Sequence, residues 1–235
     1  MTGVWFNCLG LLLAAGLAPR EPDRHGAAMS RVHTWLGVFA LYVGTTLLLA
    51  PFRDSLSRGL RAVGIALAAL ILGNLVGKAA RLQKASNRVG SWAMNRLGPG
   101  SSATPGERWS GVAALVLANP VGWVGAAWEA VSGDWRILAL KTFLDALALV
   151  AWVGPFGRSL AVVAIPAGLA LAGVEWAMRP LAAVLESRGL LECAGAATGW
   201  YLFAAASTLF GGRKAPLADY LPALGLAPLL AWWWR

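Results

Sequence analysis

Lys141 and Asp145 stand four residues apart in RILALKTFLDALALVAWVG, which holds no other charge after Arg136. That spacing puts both on one face of a helix. In apolar surroundings a carboxylate beside an ammonium can neutralise a cation or carry a proton. It can equally be a pair that only satisfies itself. Lys before Asp is the less favourable order against the helix dipole, so a purely structural pair is not the obvious optimum. Lys141 lies close enough to Arg136 to snorkel towards an interface, which leaves Asp145 as the deeper group.

A second irregularity precedes it. Asn119 and Pro120 fall inside the oily stretch from Val112 to Val131, with Gly122 and Gly125 just beyond. Proline removes a helical hydrogen bond and biases the preceding residue away from helical angles. Residue 119 is therefore the expected break. Half-helix ends at such a break can present backbone groups to an ion or small solute, as in many transporters. A plain kink closed by neighbouring helices is the alternative. The candidate site is thus Asn119, Pro120, Gly122, Lys141 and Asp145, with Asp145 as the functional carboxylate. Asn7, Asn74 and Glu192 are secondary candidates. Glu175 with Arg179, and Glu192 with Arg188, read as interfacial ion pairs.

The elements that position these residues follow from composition. The 235 residues are 58% hydrophobic and 13% charged, with mean hydropathy +0.61. Low-charge blocks recur at 3–18, 33–51, 62–77, 109–128, 137–157, 159–178, 189–210 and 216–234. Several approach the ~20 residues needed to cross a bilayer as a helix. Most lack the polar face of a water-soluble helix. The expectation is an all-α integral membrane protein of seven to eight transmembrane helices, one interrupted at Asn119-Pro120. MTGVWFNC has no basic residue of the kind that opens a signal peptide, so block 3–18 reads as a short first membrane helix. Gly73-x-x-x-Gly77 and Gly195-x-x-x-Gly199 allow close helix approach. Tryptophans near block ends, among them Trp5, Trp35, Trp128, Trp135, Trp176 and Trp232–Trp234, read as interfacial anchors.

The formal net charge of +9 does not indicate nucleic acid, because the basic residues gather at joints between apolar blocks. With alternating segments the larger share, including Arg20, Arg24, Lys78, Arg81, Lys84 and Arg88, falls on one side. The positive-inside rule makes that side cytoplasmic and places the N-terminus outside. Residues 78–97 read as a basic amphipathic helix on an anionic leaflet, or as a solvated connector. Residues 98–107 read as a linker between halves 1–97 and 108–235. Residues 60–90 and 159–189 share a plan, an apolar segment followed by a basic or amphipathic stretch. This suggests two inverted three-helix repeats plus two C-terminal helices.

His25 and His33 are too sparse for a metal site, and Cys8 and Cys193 read as small core residues. No phosphate loop, dinucleotide fingerprint or nucleophile elbow is present, so neither a cofactor nor an enzymatic activity is expected. The expected partners are the lipid bilayer, anionic lipid at 78–97 and a small solute or ion. A homo-oligomer remains compatible.

These residues resemble a bacterial membrane-protein family, domain of unknown function 554. GVWFN (Gly3–Asn7) is similar to the family's opening G-T-x-x-N, and LILGNLVGK (Leu70–Lys78) to G-G-x-x-G-E. The likeness is strongest where G-P-x-x-x-x-G, Gly-Asp and K-S-x-x-D motifs fall on Asn119-Pro120, Gly125, Gly133-Asp134, Lys141-Thr142 and Asp145. YLPALGLAPLL (Tyr220–Leu230) looks like the final helix. Asn119 replaces an expected Gly, Lys78 an expected Glu, and Trp5 interrupts the first motif. An ion-path role for an acidic group at position 78 is therefore in doubt. The resemblance implies a bacterial inner-membrane protein without established activity. A secondary carrier or channel is the leading reading. A non-transporting scaffold or regulatory protein using helix 78–97 is the alternative.

Overall fold

The computed structural model describes residues 1–17, 26–97, 112, 116–117, 119–156, 158–187, 190–212 and 215–234. Among them are nine α-helices and no strand. They are α1 (Thr2–Leu17), α2 (Gly26–Leu49), α3 (Leu56–Ala79), α4 (Leu82–Leu97), α5 (Pro120–Ser132), α6 (Arg136–Phe156), α7 (Ala164–Ser187), α8 (Leu191–Leu209) and α9 (Leu221–Trp233). The proposed linker 98–107, and the basic residues Arg20, Arg24, Arg188, Arg213 and Lys214, lie outside the described residues. Among the described residues, three stretches are long and apolar enough to cross a bilayer: Thr34–Arg53, Leu56–Ala79 and Ala161–Glu186. α1 is a shorter apolar helix.

The chain clusters into two compact units, each assembled from separated segments. The first comprises Met1–Met29 and Lys84–Ala177, and the second Ser30–Gln83 and Met178–Arg235.

In the first unit α1 packs on α6 beside α5 and the first half of α7. Leu11, Ala14, Ala15, Leu149, Ala164 and Ala167 form one apolar core. Val4, Ala126, Leu138 and Leu171 form another. The helices approach closely where glycine leaves no Cβ. A Cβ on Gly125 would sit 3.0 Å from the Leu138 side chain, and one on Gly3 would sit 2.9 Å from it.

The turn from α5 to α6 is built from Ser132-Gly133-Asp134. Gly133 ends α5 at φ 73°, a left-handed conformation that suits glycine, and donates to Glu129 O at 2.9 Å. Asp134 Oδ1 accepts from Arg136 N at 3.0 Å and caps the start of α6. Two residues thus reverse the chain and bring α6 back along α5.

In the second unit small residues face inward along α3: Gly59, Ala62, Ala66, Ala69, Gly73 and Gly77 are buried. They meet α9 and the turn before it, where a Cβ on Gly73 would strike the Ala223 backbone and one on Gly77 that of Asp219. Gly199 of α8 lies against Gly44 of α2 in the same way. Gly73, Gly77 and Gly199 of the two glycine pairs singled out in the sequence therefore allow close helix packing, and Gly195 is buried in α8.

The opposite face of α3 carries Leu60, Leu67, Ile71 and Leu75 at 60%, 43%, 64% and 58% exposure. Burying such a side chain is worth about 2 kcal/mol in water, so a helix that turns small residues inward and leucines outward is patterned for a hydrocarbon environment. Trp5, Trp35, Trp135, Trp176 and Trp232–Trp234 are exposed. Trp128, expected among the interfacial anchors, is instead 7% exposed, because it packs inside the first unit.

Candidate functional site

The first unit holds a polar centre between α1, α5 and α6. Lys141 and Asp145 have side chains 2% and 5% exposed and form an ion pair through Nζ and Oδ2. One turn of α6 supplies both, which is the arrangement their spacing predicted. Asn7, fully buried on α1, reaches across to them. Its Nδ2 donates to Thr142 Oγ1 at 3.2 Å and lies 3.5 Å from Asp145 Oδ2. Thr142 donates in turn to Leu138 O at 2.8 Å, so its hydroxyl orientation is set by the helix. Asn119 lines the same seam as Lys141.

The break at Asn119 has a defined geometry. Val116 and Leu117 are helical, Asn119 is extended at φ −71° and ψ 110°, and α5 starts at Pro120. Proline fits the first position of a helix, where its missing N–H is not needed. Asn119 Oδ1 accepts from Val121 N at 3.1 Å, and Asn119 O accepts from Gly122 N at 3.1 Å. Trp123 Nε1 donates to Leu117 O at 2.7 Å across the break. These bonds occupy groups that the break was expected to offer, so ligand atoms must come chiefly from side chains. Gly122 has a steric role: a Cβ there would strike Lys141 Cε, so its absence gives the lysine arm a track over α5. Asn119, Gly122, Trp123, Lys141 and Leu171 line that track as a closely packed seam with no room for a water molecule.

One turn along α1 towards its start is an acidic group that the sequence reading passed over. Glu129, 6% exposed, accepts from Gly3 N at 2.9 and 3.1 Å through its two carboxylate oxygens. A carboxylate here satisfies an orphan N–H and suits the positive end of the helix. Glu129 also pairs with the Met1 ammonium at 3.1 Å, and Glu175 with the same ammonium at 2.5 Å. Glu175 was expected at an interface but is 2% exposed. Glu129 is the sole ionisable residue of α5, and that isolation is the signal that could have found it. At the solvent end of α6, burial opposes ionisation of Asp134. The hydrogen bonds and charge of Arg136 outweigh it and hold the carboxyl below its usual value.

The structure therefore brings Asn119, Pro120, Gly122, Lys141 and Asp145 together and adds Asn7, Thr142 and Glu129. Asn74 and Glu192 belong to the second unit. Asn74 Oδ1 is buried there and accepts no hydrogen bond among the described residues, while Glu192 sits in the first turn of α8. No group of three His, Cys, Asp or Glu side chains among the described residues could hold a metal ion.

An all-helical chain with long apolar helices and a buried, ion-paired polar centre defines the class. The family described as Protein of unknown function (DUF554) matches residues 2–232, and the chain belongs to it. It is 29% identical to the Uncharacterized protein YqgA of Escherichia coli (strain K12) over 231 residues, covering 96% of this chain and 92% of that one. No solved structure matches.

Proposed function

We propose that this chain is a multi-pass protein of the bacterial inner membrane, with seven to eight membrane segments and its N-terminus outside. On this reading it contains two inverted three-helix repeats plus two C-terminal helices. It acts as a secondary carrier or channel for a small solute or ion. The observation that carries the reading is the buried cluster of Asn7, Lys141, Thr142 and Asp145 within an apolar helical unit, with the half-buried Asn119 beside Lys141. Charges at such depth are expensive and are a hallmark of ion and proton pathways. The interrupted helix beside them supports the same role, because broken helices flank binding sites in many carriers.

A stabilisation screen of the purified protein against ions and metabolites tests this. Binding that disappears in Asp145→Asn supports the carrier, and a silent screen opposes it. A second reading, a scaffold that docks a partner or anionic lipid through α4, is favoured by one observation. Lys84 and Arg88 are exposed on α4 together with Val89 and Trp92, the last two at 40% and 42%. Deleting residues 80–96 would then abolish docking, whereas Asp145→Asn would not.

A further inference from the structure

We infer that the polar centre binds one monovalent cation in exchange for the proton of Lys141. The inference builds on the carrier reading and names its ligand. Asn7 is fully buried, and its Oδ1 accepts no hydrogen bond among the described residues. The Nδ2 of the same amide is held by Thr142 and Asp145, which fixes the carboxamide within the centre. A buried acceptor without a donor carries an uncompensated desolvation cost unless something positive or protic meets it.

The oxygen groups that meet in this centre are the Asp145 carboxylate and the Thr142 hydroxyl, both bonded to Asn7 Nδ2, and the unbonded Oδ1 of the same amide. Hard oxygen ligands of this kind suit alkali and alkaline-earth ions and not soft metals. The local charge selects further. Asp145 supplies one negative charge, and Lys141 now neutralises it. A monovalent ion replaces that single charge. A divalent ion would leave an excess positive charge in an apolar interior.

The exchange balances. Lys141 releases H⁺ from its ammonium and becomes a neutral amine, and the cation takes its place against the Asp145 carboxylate. The amine leaves the carboxylate by shifting along Gly122, and Asn119, Trp123 and Leu171, packed along that seam, must give way to admit it. The net charge of the centre is unchanged in either state, so both states are tolerable at depth.

Other ionisable groups frame the centre without replacing it. On α1 the Cys8 thiol donates to Ala164 O at 3.6 Å, next to Gly168 of α7. Glu129 of α5 and Glu175 of α7 meet at the Met1 ammonium, six residues or about 9 Å of helical rise from Asn7. On α6, Asp134 and Arg136 pair at the helix start. Glu129 and Glu175 are buried and engaged with the Met1 ammonium, and Lys141 with Asp145 remain the exchanging pair.

The test measures Na⁺ binding to the purified full-length protein by titration calorimetry and thermal unfolding, with choline chloride balancing ionic strength. Release of one proton per cation predicts that apparent affinity strengthens about tenfold per pH unit. Asp145→Asn should abolish binding. Lys141→Met should still bind Na⁺, now in competition with the proton that the unpaired Asp145 carboxyl takes up, so its affinity also strengthens as pH rises. Asn7→Leu, which leaves the ion pair intact, should weaken binding severalfold. Should the two charge variants fail to fold, the wild-type pH series and Asn7→Leu decide the matter. A wild type indifferent to Na⁺, or one whose affinity has no pH slope, overturns the exchange. Flux in proteoliposomes without Na⁺ binding would remove this inference and leave the carrier. Na⁺ binding without flux would do the reverse.

Discussion

Replacing Lys141 by Met leaves Asp145 buried beside an apolar thioether. Both side chains of the native pair are at most 5% exposed, so solvent screening offers little relief. Breaking such a pair by removing one partner costs about 3–5 kcal/mol. The ceiling follows from ordinary acid–base chemistry. An aspartate can escape the penalty by taking up a proton, which at pH 7 costs about 1.36 kcal/mol for each unit above its usual ~3.9, or about 4 kcal/mol. Asp145→Leu meets a similar limit, about 4.6 kcal/mol, set by deprotonating a lysine whose usual value is ~10.4.

The two variants should therefore slope oppositely with pH. In Lys141→Met the folded protein holds a proton that the unfolded chain gives up, so its stability falls as pH rises, by about 1.4 kcal/mol per unit. In Asp145→Leu the unfolded chain holds the extra proton, so stability rises with pH by about the same amount. The double variant should cost less than either single one, because it exchanges a charge pair for apolar groups of similar size. Equilibrium unfolding by SDS titration in detergent, with choline as the salt cation, measures all four proteins. Single variants that cost less than about 1 kcal/mol and show no pH slope would refute the premise that these charges are buried and mutually dependent.

Gly133→Ala forces a side chain into the left-handed conformation at φ 73° and should cost about 1–2 kcal/mol, read in the same unfolding assay. Asp219, 6% exposed, accepts from Gln83 N at 2.8 Å, while Gln83 Oε1 accepts from Ala218 N at 3.1 Å. Asp219→Ala should thus speed hydrogen exchange in the first turn of α4 and cost about 1.5–3 kcal/mol. The Asp134 carboxyl is held below its usual value by Arg136, so its contribution is complete above the unfolded value near 4 and is lost as pH falls through the lower folded value. Arg136→Gln should flatten that acid limb of an unfolding titration, and an unchanged limb would contradict the assignment.

Much of this was legible because periodicity and cost both leave traces in sequence. Lys141 and Asp145 were placed on one face by their spacing, and the helix start at Pro120 by proline's missing donor. Glycine-x-x-x-glycine spacing marked α3 and α8 as close-packing helices, and Gly73, Gly77 and Gly199 do approach partner backbones. What local pattern could not supply was the pairing of distant helices. Asn7 meets Thr142 across 135 residues of chain, and Gly3 meets Glu129 across 126. Nothing within α1 says which helix will face it. Trp128 was misjudged for the same reason, because nearness to a block end does not determine which face a residue turns towards its neighbours. The hydrogen bonds that close the break at Asn119 were equally hidden, since they depend on Trp123 folding back to Leu117.

The most direct test loads proteoliposomes with a pH-sensitive dye and imposes an inward Na⁺ gradient. The exchange at Lys141 and Asp145 predicts that the lumen turns alkaline as protons leave, and that vesicles carrying Asp145→Asn do not respond. An equal response from Asp145→Asn and wild type, or none from folded wild-type protein, would contradict the assignment of this buried pair as the working site.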